Sequence, residues 1–77
     1  MRLSTRNQLS GTVVDVTTGA VMATVKVRLD GGDQIVTASI TREAVEELGL
    51  EAGRPATVLI KSTEVMLAVE DQALADG

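Results

Sequence analysis

From Val21 to Leu29 the chain alternates strictly, with Val21, Ala23, Val25, Val27 and Leu29 on one parity and Met22, Thr24, Lys26 and Arg28 on the other. A period of two puts all members of the first set on one face, so Ala20–Leu29 reads as an amphipathic strand. One such strand needs sheet neighbours to cover its apolar face, and the flanking sequence supplies them. Gly11 to Val16 carries Val13, Val14 and Val16 and joins it through Thr17-Thr18-Gly19. Asp30-Gly31-Gly32-Asp33 is a turn sequence, because glycine reaches positive φ freely and Asp tolerates it, and it leads into a third strand over Gln34–Ile40. These three strands form a meander.

Thr41 then stands as an N-cap before Arg42-Glu43-Ala44-Val45-Glu46-Glu47-Leu48, with Glu43 in the first turn and Gly49 placed to end the helix. Ala44, Val45 and Leu48 define its apolar face, so the helix is expected to plug the open end of the sheet, with Leu50 tucked behind. After the Glu51–Pro55 turn, Ala56–Lys61 and Glu64–Val69 read as two more strands, linked tightly by Ser62-Thr63. The expected fold is all-β: a five-stranded OB-like Greek-key barrel with one short helix between strands 3 and 4. Residues 2–70 form the expected domain, and 71–77 a flexible C-terminal tail.

The chain has 77 residues and no Phe, Trp, Tyr, Cys or His. A folded chain of this length buries only about 60% of the surface exposed by its unfolded form. Its core must be aliphatic and thin, so self-association is expected. The missing residue types remove thiol nucleophiles, imidazole relays, Cys/His metal sites and aromatic platforms for stacking bases. The net charge of −4 argues against a nucleic-acid footprint or a polybasic membrane patch. No apolar run is long enough to span a membrane, and the Arg-containing opening lacks the apolar stretch of a signal peptide, so the expected location is cytoplasmic.

Catalysis finds little support. The acids of the helix fall on its solvent side, Asp30 and Asp33 flank a hairpin turn rather than a calcium loop, and Gly31-Gly32 lacks phosphate-loop spacing. The informative pattern lies among small polar residues. Ser4-Thr5-Arg6-Asn7-Gln8 precedes the first strand and Lys61-Ser62-Thr63 follows the fourth, and neither run contains an acid. A tetrahedral oxyanion is held by cations, hydroxyls and backbone N–H groups with no carboxylate nearby. These runs offer those donors, and Thr41 at the helix start adds a hydroxyl. The plainer alternative is a polar leader and an ordinary turn.

At these residues the sequence resembles the molbindin (Mop) family, whose unit is also the TOBE domain of molybdate-responsive regulators and transporter ATPases. The resemblance rests on Ser4-Thr5-Arg6-Asn7-Gln8-Leu9, Gly11-Thr12-Val13-Val14, Gly19-Ala20-Val21, Gly31-Gly32 before Ile35, Ile40-Thr41, Val45 to Leu50, and Leu59 to Leu67. It covers Leu3 to about Val69. It implies an OB-like barrel assembled as a homohexamer, a trimer of dimers, which binds molybdate or tungstate at subunit interfaces for storage and homeostasis, with no organic cofactor and no catalysis. The family's binding residues fall on Ser4, Thr5, Arg6, Asn7, Thr41, Lys61 and Ser62. Arg6 and Lys61 would neutralise the dianion, Ser4 and Thr41 would donate hydroxyl bonds, and Thr5, Asn7 and Ser62 would donate through their backbone N–H groups. No protein atom would be a direct metal ligand. Thr5 replaces the usual alanine. A second oxyanion site near the threefold axis would use Gly19, Ala20 and Val21, beside Met22, where many relatives are polar; a plain turn and core strand is the alternative there. A molybdate-sensing regulatory or interaction module acting through a partner protein is the alternative function. The chain's short polar ending leaves no place for an effector and favours storage.

Overall fold

A computed structural model describes residues 5–70 of the chain. Four strands are present: β1 (Asn7–Thr18), β2 (Met22–Leu29), β3 (Ile35–Thr41) and β4 (Pro55–Ile60), with the helix α1 (Arg42–Leu48) between β3 and β4 and a 3-10 turn at Ser62–Glu64. They form one antiparallel sheet in the order β3-β2-β1-β4. The curled antiparallel sheet with one short helix is the OB-like all-β class expected.

β1 is longer than the apolar run Gly11–Val16. Asn7 to Thr12 pair with Ile60 to Pro55, while Gly11 to Thr18 pair with Leu29 to Ala23, so β1 bridges β4 at its start and β2 at its end. The polar start of the strand shows no buried face in the sequence, and only the ladder to β4 makes it extended. Gly11 lies where the two ladders overlap. A Cβ there would stand 2.5 Å from the Arg28 carbonyl oxygen and 2.7 Å from Val27 Cγ1, so only glycine fits. Beyond it the register slips between Val13 and Asp15, a bulge that leaves Val14 without a partner in β2 and curls the strand.

The core is Val13, Ala23, Val25, Val27 and Val45, all buried, with Val16, Ile40, Leu50, Ala56 and Val58 packed around it. The parity read in β2 is observed: Ala23, Val25 and Val27 face inward, Lys26 and Arg28 outward. Every core member is Val or Ala, so no single side chain contributes more than about 1.5–3 kcal/mol on burial.

α1 starts where expected, with the Thr41 hydroxyl oxygen accepting from Ala44 N–H at 3.0 Å, and ends at left-handed Gly49 (φ 65°). Leu50 N–H donates to the Val45 carbonyl at 3.1 Å, which closes the helix end and returns the chain to the core. Val45 is buried, but Leu48 is 68% exposed. The plug is therefore Val45 together with Leu50, and Leu48 in the last turn lies clear of it.

The other difference lies after β4. Ser62-Thr63 do not form a tight hairpin link; they open the 3-10 turn, after which Val65 has extended dihedrals and residues 65–70 pair with no strand among the described residues. The fifth strand of the expected barrel is thus not formed among the described residues. Its position in the sequence is occupied by a segment outside helix and sheet in which Met66, Leu67 and Val69 are more than nine-tenths exposed. The tail expected over 71–77 lies outside the described residues.

Candidate functional site

The ladder between β1 and β4 brings the two donor runs together. Asn7 stands opposite Ile60, so Arg6, just before β1, and Lys61, just after β4, emerge at the same end of the sheet. They line one open cleft of about 270 Å³ with Thr5, Ser62 and Thr63. Two side chains fix this corner. Asn7 Nδ2 donates to the Ile60 carbonyl at 3.0 Å, and Gln8 Nε2 donates to the Thr5 carbonyl at 2.8 Å. Gln8 belongs to the polar run but not to the expected binding set, and its role in holding Thr5 could be read only from coordinates.

The electrostatics suit an anion. Among the described residues no carboxylate lines the cleft. Among the described residues the ion pairs are Arg42–Glu46 and Arg54–Glu51, so neither Arg6 nor Lys61 is matched by an acid. Lys61 is extended and caps the 3-10 turn, with Glu64 N–H donating to its carbonyl at 2.8 Å. The first N–H groups of that turn, on Ser62 and Thr63, have no acceptor inside it. Two cationic side chains, three hydroxyls and two such N–H groups therefore gather at one corner. Among the described residues there is no cluster of three or more His, Cys, Asp or Glu able to hold a metal ion.

Thr41 lies elsewhere. It pairs with Met22, beside the Thr18–Ala23 end of the β1–β2 hairpin. β1 has 12 residues, and at about 3.3 Å per residue its ends are roughly 36 Å apart along the strand. Thr41 lines a second open depression, of about 490 Å³, with Ala20, Val21, Arg42, Glu43 and Glu46. Its oxygen accepts from the helix, which leaves its O–H free to donate outward. Of the residues expected at a second oxyanion site, Ala20 and Val21 are in this depression. Gly19 does not line it, and its N–H donates to the Met22 carbonyl at 2.7 Å. Glu43 and Glu46 make this end more acidic than the Arg6–Lys61 end. Ser4 lies outside the described residues.

Residues 3–67 match the TOBE domain. The chain belongs to the TOBE-domain family. Its relatives include molybdenum-pterin-binding protein 3 of Clostridium pasteurianum, 46% identical over 67 residues that cover 87% of this chain and 97% of the relative. A molybdate-binding protein from Sporomusa ovata has a similar structure, with a TM-score of 0.83 and 33% identity over 90% of this chain and all of that one. The cytoplasmic molybdate-binding protein ModG, solved with molybdate bound, gives a TM-score of 0.84 and 48% identity; 91% of this TOBE domain aligns with 49% of that chain. This TOBE domain thus shares its fold and much of its sequence with proteins that bind molybdate.

Proposed function

We propose that this TOBE domain binds molybdate, and tungstate equally, without catalysis, and that it stores and buffers the oxyanion in the cytoplasm. The observation that carries this reading is the cleft shared by Arg6 and Lys61, where two cations with no acid partner among the described residues stand beside hydroxyls and backbone N–H groups. A dianion bonded to charged donors gains about 1.5–3 kcal/mol per contact. Arg6 and Lys61 neutralise it, Ser4 donates a hydroxyl bond, and Thr5, Asn7 and Ser62 donate through their backbones. The names of some relatives include pterin, but this chain has no aromatic residue on which a pterin ring could stack. The cleft instead suits the inorganic ion.

Thr41, at the opposite end of β1, joins such a site only if another copy supplies it. The complete donor set is therefore held between subunits of a homo-oligomer, which we take to be a hexamer built as a trimer of dimers. Interface binding links occupancy to assembly, because a ligand that binds only the oligomer stabilises it. Equilibrium dialysis against molybdate, tungstate and sulfate tests the reading. Retention of the first two with exclusion of sulfate, lost in Arg6→Ala, is expected; equal retention by wild type and variant contradicts it.

A further inference from the structure

A binding corner is defined by what it can accept as much as by what it can donate. Around the Arg6–Lys61 cleft, four backbone acceptors are already engaged inside the chain. The Thr5 carbonyl receives Gln8 Nε2 at 2.8 Å, and the Ile60 carbonyl receives Asn7 Nδ2 at 3.0 Å. The Lys61 carbonyl receives Glu64 N–H at 2.8 Å, and the Ser62 carbonyl receives Val65 N–H at 3.4 Å. Each bond also fixes the plane of its peptide, so the carbonyl does not swing to meet an incoming proton. Glu64, the acid nearest in sequence, does not line the cleft, and among the described residues no other carboxylate does. The residues that line it bring donors. Arg6 and Lys61 have no acceptor at all, and Thr5, Ser62 and Thr63 bring hydroxyls. A hydroxyl can turn to accept, but in doing so it withdraws a donor from the ion.

Tetrahedral oxyanions differ in whether they carry a proton at neutral pH. Molybdate, tungstate, sulfate and selenate carry none, whereas phosphate and arsenate keep at least one. A proton-free dianion offers lone pairs on all four oxygens and suits a surface of donors. A protonated one brings an O–H that needs an acceptor, and against donors that hydrogen stays unmatched and a bond to the oxygen is lost. We infer that this cleft selects its anion by protonation state: it admits proton-free tetrahedral dianions and rejects hydrogenphosphate and hydrogenarsenate. Gln8 is a positioning residue for that choice, because it holds the Thr5 carbonyl, the acceptor beside the cleft that would otherwise take the proton. This selection rests on the oxyanion reading above and narrows the class of ion that the same site takes.

Selenate and arsenate have nearly the same size and differ by that proton, so the pair separates protonation from dimensions. The wild-type protein is loaded with molybdate at neutral pH and dialysed against rising concentrations of each ion, with retained molybdenum measured. Half-displacement is expected to need at least about tenfold more arsenate than selenate, the penalty for one unmatched polar hydrogen. Arsenate that competes as well as selenate, or no displacement by either, overturns selection by protonation, while the molybdate retained beforehand upholds the oxyanion reading. Failure to retain molybdate at the outset overturns both. Gln8→Met keeps the length of the side chain and removes its N–H donors, which releases the Thr5 carbonyl. The arsenate-to-selenate ratio of this variant is expected to fall about threefold or more, the worth of one acceptor regained, with its circular dichroism unaltered. Weaker binding of both ions at an unchanged ratio would mark a merely structural side chain and overturns the role given to Gln8.

Discussion

Asn7 stands opposite Ile60 in the β1–β4 ladder, and its side-chain amide donates a 3.0 Å hydrogen bond to the Ile60 carbonyl. This pairing turns two distant polar runs into one cleft: residue 6 precedes one member of the pair and residue 61 follows the other. Asn7→Ala is expected to cost about 1 kcal/mol in urea unfolding, the usual worth of one partly buried hydrogen bond. It should weaken molybdate binding as well, because Lys61 loses its fixed departure point. Unchanged stability in the variant would remove the side chain from this role.

Arg6→Ala and Lys61→Ala should each lower molybdate affinity by at least about tenfold, in line with the loss of one charge-assisted contact. Both side chains are exposed, so unfolding midpoints should shift by no more than about 0.5 kcal/mol equivalent. Titration calorimetry of the variants beside wild type separates the two quantities. Affinity should also fall as sodium chloride is raised, since screening weakens attraction between exposed charges.

Thr41 has a structural duty that can be measured apart from ligand binding. Its oxygen accepts from Ala44 N–H at 3.0 Å, and Thr41→Val removes that cap at a cost of about 0.5–2 kcal/mol, whereas Thr41→Ser retains it. Thermal unfolding in molybdate-free buffer should rank wild type and Ser together above Val. If all three melt alike, the cap contributes nothing.

Gly11→Ala should be the most damaging of the glycine substitutions that need no positive φ. The new methyl group meets backbone at 2.5 Å, and overpacking of this kind costs about 1–3 kcal/mol. Gly32→Ala meets nothing within 4 Å and serves as the control. Equal denaturation curves for the two variants would show that β1 and β2 can part at Gly11 without penalty.

The features legible in the sequence were those with a local cause. The parity of β2, the glycine turn after it, the Thr41 cap and the Gly49 stop each depend on side chains within a few positions, and all are seen in the structure. The convergence of the two donor runs near Arg6 and Lys61 followed from family resemblance and became physical only through the β1–β4 register. What could not be read depended on distant packing. Nothing in Asn7–Ser10 marks a strand until β4 lies beside it. Leu48 and Val45 share a helical face by spacing, yet Leu50, returned by the left-handed Gly49, takes the inner position. The pattern of Glu64–Val69 is that of a strand, but alternation alone supplies no ladder, and among the described residues the segment starts in a 3-10 turn and pairs with no strand. For the same reason Thr41 was grouped with these donors for its hydroxyl at the helix start, although its own chain places it at the far end of β1.

Native mass spectrometry of the purified protein, with molybdate and then with sulfate as competitor, tests the central claim most directly because it counts subunits and bound ions together. The account predicts a hexamer that retains molybdate, resists displacement by sulfate, and holds no ion as an isolated monomer. A monomer that binds molybdate with full affinity, or an oligomer that holds sulfate as readily, would contradict a site shared between copies and built from Arg6, Lys61 and a neighbour's Thr41.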